Sequence, residues 1–392
     1  MASTAEHRQP AWLQTAAVAL LGAGVAIWIA VRVMPQKAVL FGIAILLGIA
    51  LKHAAFGFTA QWRRFLLLGD GRGIRAQMVM LALASGLMIP VLASGSILGH
   101  GVVGAVAPAG VSVMVGAFMF GMAMQWANGC ASGTLYALGG GSTRMLVVLP
   151  FFLIGSLWGS ADLPWWFGTP SLGSISLPVK LGTWRAIALQ WLLFAIIFGL
   201  ATWIEKRRGF VAPRPDGGNR AWRILTGPWG WMAGGIALAL LNFATLAVSG
   251  HPWTISFGYT LWGGKIAQVL GFDLSQVAFW TWPYPARALA GSWLAEDTSL
   301  MNLGIILGAT LATTLSGGFG PLRPISRRAA LGAALGGLLM GYGARIAFGC
   351  NVGAYFSGIA TGSLHGWEWL VFGMLGTWAG IRLRPLFDLP NP

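Results

Sequence analysis

The sequence predicts an all-α polytopic membrane protein, and three observations carry that prediction. The 392 residues are 56% apolar and only 9% charged, whereas soluble domains carry about 25% charged residues. The mean hydropathy is +0.71. The 58 glycines are typical of transmembrane helices that pack closely.

Ten apolar runs are long enough to cross a bilayer, which takes about 20 residues of helix. They lie at 12–34, 37–56, 74–98, 109–128, 143–161, 184–204, 229–249, 299–316, 328–348 and 365–383. The first run is too long for a signal peptide and has no clear cleavage site. We therefore expect about ten transmembrane helices, the first of them an extra N-terminal one.

Four further stretches are too short or too broken by glycine to cross. They lie at 57–69, 129–140, 256–272 and 349–361. Irregular backbone at membrane depth is tolerated only where protein buries it or where it lines a wet cavity. We therefore predict four short re-entrant helices.

Basic residues between the runs predict the orientation. Lys and Arg cluster in three loops, around 63–75, 206–223 and 323–328. Placing these loops in the cytoplasm follows the positive-inside rule and leaves both termini on that side. The net charge of +15 comes with basic residues that sit in short loops between apolar runs and not on one binding face, so we predict no nucleic-acid partner.

A Gly-Cys-x-x-Gly element occurs twice and contains both cysteines of the chain. The two copies are offset by 220 residues and comprise Gly129, Cys130 and Gly133, and Gly349, Cys350 and Gly353. A cysteine placed twice in one frame indicates a duplicated site.

A second element, Phe-Gly-aromatic-Thr, precedes each cysteine element and ends at Thr59 and at Thr260. Five predicted spans separate these threonines. Because five is odd, the second pair of elements enters from the opposite side of the membrane. The sequence thus predicts an inverted pseudo-two-fold repeat, hourglass-like, with its site near the midplane.

This repeat divides the chain into four parts. We predict an extra N-terminal helix at 1–36, a first half at 37–204, a basic cytoplasmic linker at 205–228 and a second half at 229–392.

The predicted site suits a soft anion. A neutral thiol is polarizable and donates a weak hydrogen bond, and it does not repel an anion. The N-terminal amides of short helices favour negative charge. We expect Cys130, Cys350, Thr59 and Thr260 to hold such an anion weakly enough for it to leave again.

Structural explanations compete with this interpretation. The paired glycines are also plain small-xxx-small packing motifs, with each cysteine a small buried hydrophobe. The hydroxyls of Thr59 and Thr260 could simply bond back to a helix carbonyl.

Two polar side chains lie one turn before the cysteines at matching positions. Arg345 would be costly in lipid, so it marks a functional site unless it reaches outward to the interface. The repeat places Gln125 at the equivalent position, and the pair could donate hydrogen bonds from both sides.

The sequence predicts no cofactor and no metal site. Neither cysteine has a His or a carboxylate at ligand spacing, although two thiolates leave copper(I) open. No GxxxxGK[ST] motif for a nucleotide is present.

At these residues the chain resembles the YeeE/YedE family of bacterial inner-membrane proteins, which includes the thiosulfate transporters called TsuA. The resemblance runs from about residue 37 to 385 and rests on the paired cysteine elements and on PWTISFGYTLWGGKI at 252–266. It implies an hourglass-shaped protein in which thiosulfate passes between cysteine thiols, here Cys130 and Cys350. A third family cysteine falls at the position of Thr59. The resemblance also implies a small cytoplasmic sulfur-carrier protein as a partner.

The leading hypothesis is uptake of thiosulfate or a related sulfur-containing anion across the inner membrane by a transporter rather than an enzyme. One alternative is a channel for another small anion. The other is a membrane sulfur-transfer or redox protein that uses the two cysteines. The last is disfavoured because no general base is predicted near either thiol.

Overall fold

The computed structural model describes residues 10–212 and 220–391, and this part of the chain is mostly helical. Its first half contains α1 (Trp12–Arg32), α2 (Pro35–His53), α3 (Phe58–Leu68), α4 (Arg72–Ser94), α5 (Val111–Ala127), α6 (Ala131–Gly139), α7 (Thr143–Phe167), α8 (Leu177–Leu181) and α9 (Thr183–Arg207). Its second half contains α10 (Arg220–Thr226), α11 (Trp231–Ser249), α12 (Ser256–Val269), α13 (Ala278–Thr281), α14 (Pro283–Ala290), α15 (Asp297–Leu315), α16 (Arg327–Ile346), α17 (Ser357–Ala360) and α18 (Leu364–Leu383).

Strand structure in the described residues is limited to two short antiparallel pairs. Strand β1 (Ser96–Ile97) pairs with β2 (His100–Gly101), and β3 (Pro108–Gly110) pairs with β4 (Ser171–Ser174). A π-helical segment, Asn351–Phe356, precedes α17, and a 3₁₀ turn, Arg384–Phe387, follows α18.

The prediction of an all-α polytopic membrane protein is confirmed. Within the described residues, nine helical segments are long and apolar enough to cross a membrane. The tenth predicted run is helix α18, whose mean hydropathy is lowered mainly by His365, Glu368 and Arg382. The four stretches predicted to be too short to cross contain α3, α6, α12, and α17 with its π-helical segment. The predicted linker at 205–228 contains the end of α9 and all of α10, while its residues 213–219 lie outside the described part.

One end of the helix bundle, which we call the basic face, is tied together by loop contacts. The Trp229 amide donates to the His53 carbonyl at 2.8 Å, and the Gly71 amide donates to the Glu205 carboxylate at 2.8 Å. Following the chain from these contacts places here the ends of α2, α5, α9, α15 and α18 and the starts of α4, α7, α11 and α16.

The opposite face carries the other helix ends. There the Leu177 amide donates to the Gly362 carbonyl at 2.7 Å, and Lys37 pairs with Asp297. As a result, α6 follows α5 at the basic face, whereas the π-helical segment and α17 follow α16 at the opposite face.

Glycines let the long helices cross at close range. A Cβ at Gly155 of α7 would lie 1.9 Å from the Leu338 carbonyl oxygen of α16, and one at Gly376 of α18 would lie 2.0 Å from the Phe118 oxygen of α5. Such crossings explain why so apolar a chain uses so much glycine. They also hold α5, α7, α16 and α18 in one packed group, which includes the two helices that precede the cysteines.

Candidate functional site

Cys130 immediately precedes α6, at the position where the chain turns back from the basic face. Asn128 makes this turn in the left-handed conformation, with φ 60°. The Cys130 side chain is 1% exposed, and its Sγ lies 3.4 Å from the Ser132 hydroxyl. The Gly133 amide is also directed at this sulfur. The thiol therefore lies at the N-terminus of a short helix, where free N–H groups favour negative charge.

Cys350 has the same surroundings in the second half of the chain. Phe348, at the position equivalent to Asn128, is also left-handed, with φ 55°. Cys350 is completely buried, and the amides of Val352 and Gly353 are directed at its sulfur. Thus a second thiol lies at the start of a second short helical segment.

The segments that follow the two thiols contact each other, helix α6 against the π-helical segment Asn351–Phe356. The Tyr259 hydroxyl donates to the Ala131 carbonyl at 2.9 Å, so α12 reaches across to the first cysteine element. Both cysteines are free thiols in the described structure.

The hydroxyls of Thr59 and Thr260 differ in their hydrogen bonding. Thr59 is 3% exposed, and its hydroxyl faces the Cys130 thiol but has no hydrogen-bond partner among the described residues. Thr260 donates to the Ser256 carbonyl at 3.2 Å. The reason is where each helix begins. Helix α3 begins at Phe58, so Thr59 has no helical carbonyl one turn earlier, whereas α12 begins four residues before Thr260.

Gln125 connects the first threonine to a base. Its amide donates to the Thr59 carbonyl at 3.3 Å and accepts a hydrogen bond from Arg63 Nη1 at 3.2 Å. Gln125 is completely buried. It therefore links α5 to α3 at Thr59.

Arg345 points into the protein rather than outward to the interface. Its Nη1 donates to the Thr260 hydroxyl at 3.4 Å, and its guanidinium lies 5.4 Å from the centre of the Phe279 ring. A half-buried guanidinium thus lies beside Thr260, as the amide of Gln125 lies beside Thr59.

The four glycines of the cysteine elements have mostly ordinary surroundings. A Cβ at Gly133 would lie 3.4 Å from Cys130 Sγ, one at Gly353 3.5 Å from Thr254, and one at Gly129 3.2 Å from a methionine methyl group. Only Gly349 crowds backbone, at 2.6 Å from the Ala354 amide of its own turn. These glycines therefore do not make the close helix crossings seen at Gly155 and Gly376.

Sequence reasoning missed Asn351, which follows Cys350 directly. It is 1% exposed, and neither its amide nitrogen nor its amide oxygen has a hydrogen-bond partner in the described part of the chain. The first copy has Ala131 here, so comparison of the two copies gave no signal. A buried amide with both atoms free is suited to bind a polar ligand.

The described residues contain no group of three His, Cys, Asp or Glu side chains that could hold a metal ion. The polar groups around the two thiols are amides, hydroxyls and guanidiniums. Such a set donates hydrogen bonds and suits an anion.

Comparison with known proteins adds several likenesses. The chain is 31% identical over 174 residues to the probable transporter YedE of Escherichia coli. These aligned residues cover 44% of this chain and 42% of that protein. It is 26% identical to the thiosulfate transporter TsuA of Spirochaeta thermophila over 86% of this chain and 95% of the relative. For the TsuA of Escherichia coli the identity is 24%, over 87% and 93%. The chain thus spans about two fifths of the YedE protein that it matches.

The family described as sulphur transport matches residues 53–379, which include both cysteine elements and both threonine elements. The match begins at residue 53, so α1 and all of α2 except its last residue lie outside it. The chain belongs to the sulphur transport family.

Proposed function

We propose that this protein carries thiosulfate or a related sulfur-containing anion across the bacterial inner membrane, through a constriction lined by Cys130 and Cys350. The observation that carries the proposal is the pair of buried thiols, each at the N-terminus of a short helix, reached from opposite ends of the bundle. The resemblance to the TsuA proteins supports thiosulfate as the substrate.

The two halves are related by an inverted pseudo-two-fold repeat in this proposal. Three features support it: the shared order of elements, the left-handed residues Asn128 and Phe348 at equivalent positions, and the packing of the helices. Helix α7 packs on α16 as α18 packs on α5, and α2 packs on α15 as α11 packs on α4. A waist between the short helices then lies near the membrane midplane.

The chemistry of passage follows from the donors around each sulfur. An anion that leaves water needs replacement hydrogen bonds, and the amides of Gly133, Val352 and Gly353 supply them together with the thiols. Two sites in series, each built on a neutral thiol and backbone amides, hold the ion weakly enough to release it. No bond to sulfur has to form or break.

Thr59 is the further donor at the first thiol, at the position of a family cysteine. Its hydroxyl is unpaired among the described residues, so it can turn toward a bound ion without breaking another hydrogen bond. Asn351 has the corresponding freedom beside Cys350.

Transport is favoured over sulfur transfer or redox chemistry. Within the described residues no histidine or carboxylate forms a hydrogen bond with either thiol, so no side chain is placed to activate it as a nucleophile. We further propose that the basic face and both termini are cytoplasmic, as the positive-inside rule indicates. A small sulfur-carrier protein would then receive the anion at that face, as the resemblance implies.

The test is thiosulfate uptake by proteoliposomes or by cells with thiosulfate as the sole sulfur source. We expect Cys130→Ala and Cys350→Ala each to reduce uptake at least tenfold. Ser85→Ala is the matched control, because it also removes one buried heavy atom and its hydroxyl bonds only to its own helix, at 3.2 Å from the Ala82 carbonyl. Undiminished uptake by both cysteine variants would refute the proposed path.

A further inference from the structure

Three guanidiniums meet at the basic face, just beyond the first thiol. Arg63 belongs to α3, Arg144 lies in the first turn of α7, and Arg384 begins the 3₁₀ turn after α18. Arg63 Nη1 and Arg384 Nη1 both donate to the Asn128 side-chain oxygen, each at 3.2 Å. These two cations are therefore separated by no more than two hydrogen-bond lengths.

Arg144 joins the group through the end of α5. Arg384 donates to the Gln125 carbonyl at 2.6 Å, and Arg144 Nη1 lies 3.5 Å from the next carbonyl, that of Trp126, and 3.2 Å from that of Ala329. Burial, together with the charges of Arg63 and Arg144, lowers the pKa of Arg384 to about 9. Such a shift is typical of a cation that burial desolvates and that also lies near like charges.

No carboxylate in the described residues forms an ion pair with any of the three. Other arginines at this face are paired: Arg64 and Arg72 with Asp70, and Arg75 with Glu205. The carboxylate nearest in sequence to Arg384 is that of Asp388, which instead accepts from Ser326 and pairs with Arg328.

Capping of helix α5 does not account for three arginines. The Gln125 and Trp126 carbonyls are the free C-terminal carbonyls of α5, and a helix C-terminus attracts a cation. That end carries only about half a negative charge, against three positive ones. Arg63 Nε and Arg384 Nε are also buried without a partner in the described structure, and Arg384 is only 3% exposed.

We propose that Arg63, Arg144, Arg384 and Asn128 form a binding station for an oxyanion of the sulfate or phosphate type, between the first thiol and the basic face. Gln125 joins the station to the thiol, because it contacts both Arg63 and the Thr59 backbone. Guanidiniums bind such tetrahedral oxyanions through paired hydrogen bonds. A divalent anion would offset most of the charge of the three bases.

This inference rests on the proposed function for the identity of the ion, but its test does not require transport. The occupant is either the free anion or the phosphate of an anionic lipid headgroup. The experiment uses the full chain in nanodiscs of neutral lipid, with sulfate and thiosulfate as probes. Binding is measured by calorimetry. The unfolding temperature in each anion is compared with that in chloride at the same ionic strength. A parallel arm adds phosphatidylglycerol to the nanodiscs and measures its retention on the purified protein.

We expect sulfate to bind and to raise the unfolding temperature, and Arg384→Gln and Arg144→Gln each to weaken binding at least tenfold. Arg144→Gln keeps the test valid should Arg384→Gln fold poorly. Arg382→Gln is the matched control, because Arg382 is an exposed residue two positions earlier that lies over the Trp378 ring. Cys130→Ala should retain sulfate binding even where it loses transport, which separates failure of this inference from failure of the proposed function.

The lipid arm identifies the source of the oxyanion. Phosphatidylglycerol retention that the arginine variants lose, without sulfate binding, would assign the station to a headgroup phosphate. Sulfate binding in neutral lipid assigns it to the free ion. Equal behaviour of the wild type and of both arginine variants in both arms would overturn the inference.

Discussion

Replacing Thr59 by valine separates the effect of its buried hydroxyl on the stability of the protein from its effect on transport. The hydroxyl has no partner among the described residues, and an unsatisfied buried polar group costs about 1–3 kcal/mol. Valine has the same shape without that group. We therefore expect Thr59→Val to unfold at the same temperature as the wild type or higher, with a free energy of unfolding greater by about 1 kcal/mol.

Transport should change in the opposite direction. A hydrogen bond to a charged group contributes about 1.5–3 kcal/mol, so its loss from the bound anion lowers uptake roughly 10- to 150-fold. Thr59→Cys restores the thiol of the family at this position, and we expect it to retain uptake.

The assay is initial thiosulfate uptake into proteoliposomes, with thermal unfolding of the same preparations. Thr313→Val is the matched control, because Thr313 is also buried but donates to its own helix, to the Ala309 carbonyl at 2.7 Å. Its uptake should be unchanged. Wild-type uptake by Thr59→Val, or a clear loss of its stability, would refute the assignment of this hydroxyl to the ion.

Three further predictions concern packing, the second half of the path and pH. Gly341→Ala places a Cβ 2.2 Å from a carbonyl oxygen of α7, so it should lower the free energy of unfolding by at least about 1–3 kcal/mol. Gly24→Ala is the control, because a Cβ there meets open space and should leave the free energy of unfolding unchanged. Equal unfolding curves for the two variants would contradict the close crossing of α7 and α16. Arg345→Gln should reduce thiosulfate uptake at least tenfold, and Arg345→Lys should recover part of it; unchanged uptake by Arg345→Gln would remove Arg345 from the path. Burial disfavours the charged form of His251, but its bond to Asp297 outweighs this and raises the pKa. The pair therefore stabilises the fold below pH 6.5 and loses this contribution as pH rises through the raised pKa. The measurement is the unfolding temperature as a function of pH. A pH dependence that His251→Gln leaves unaltered would contradict the prediction.

The long helices could be predicted from the sequence because each needs an apolar run of fixed length. Their ends were less certain, as α7 shows. Its predicted run stops at 161, before Asp162 and Pro164, but the helix continues to Phe167. The Asp162 carboxylate accepts a hydrogen bond from the Tyr342 hydroxyl at 2.8 Å, and a contact between distant helices is not visible in a local window.

The candidate site could be predicted where its residues recur in both halves of the sequence, and could not be predicted where they occur once. Cys130 and Cys350 stood out because they share one frame. The same logic predicted equal roles for Thr59 and Thr260, yet their helices begin at different points, so one hydroxyl is free and the other is bonded. Arg384 meets the Gln125 carbonyl across 259 residues of sequence, and nothing in its neighbourhood marked it.

A structure with a heavier analogue bound tests the central claim most directly. Selenosulfate has the charge and shape of thiosulfate, and its selenium gives an anomalous signal that locates the soft end of the ion. We predict selenium peaks in van der Waals contact with Cys130 Sγ and with Cys350 Sγ, on one path between the two faces. Selenium bound only away from both sulfurs, or two sulfurs separated by packed side chains with no common path, would contradict the account.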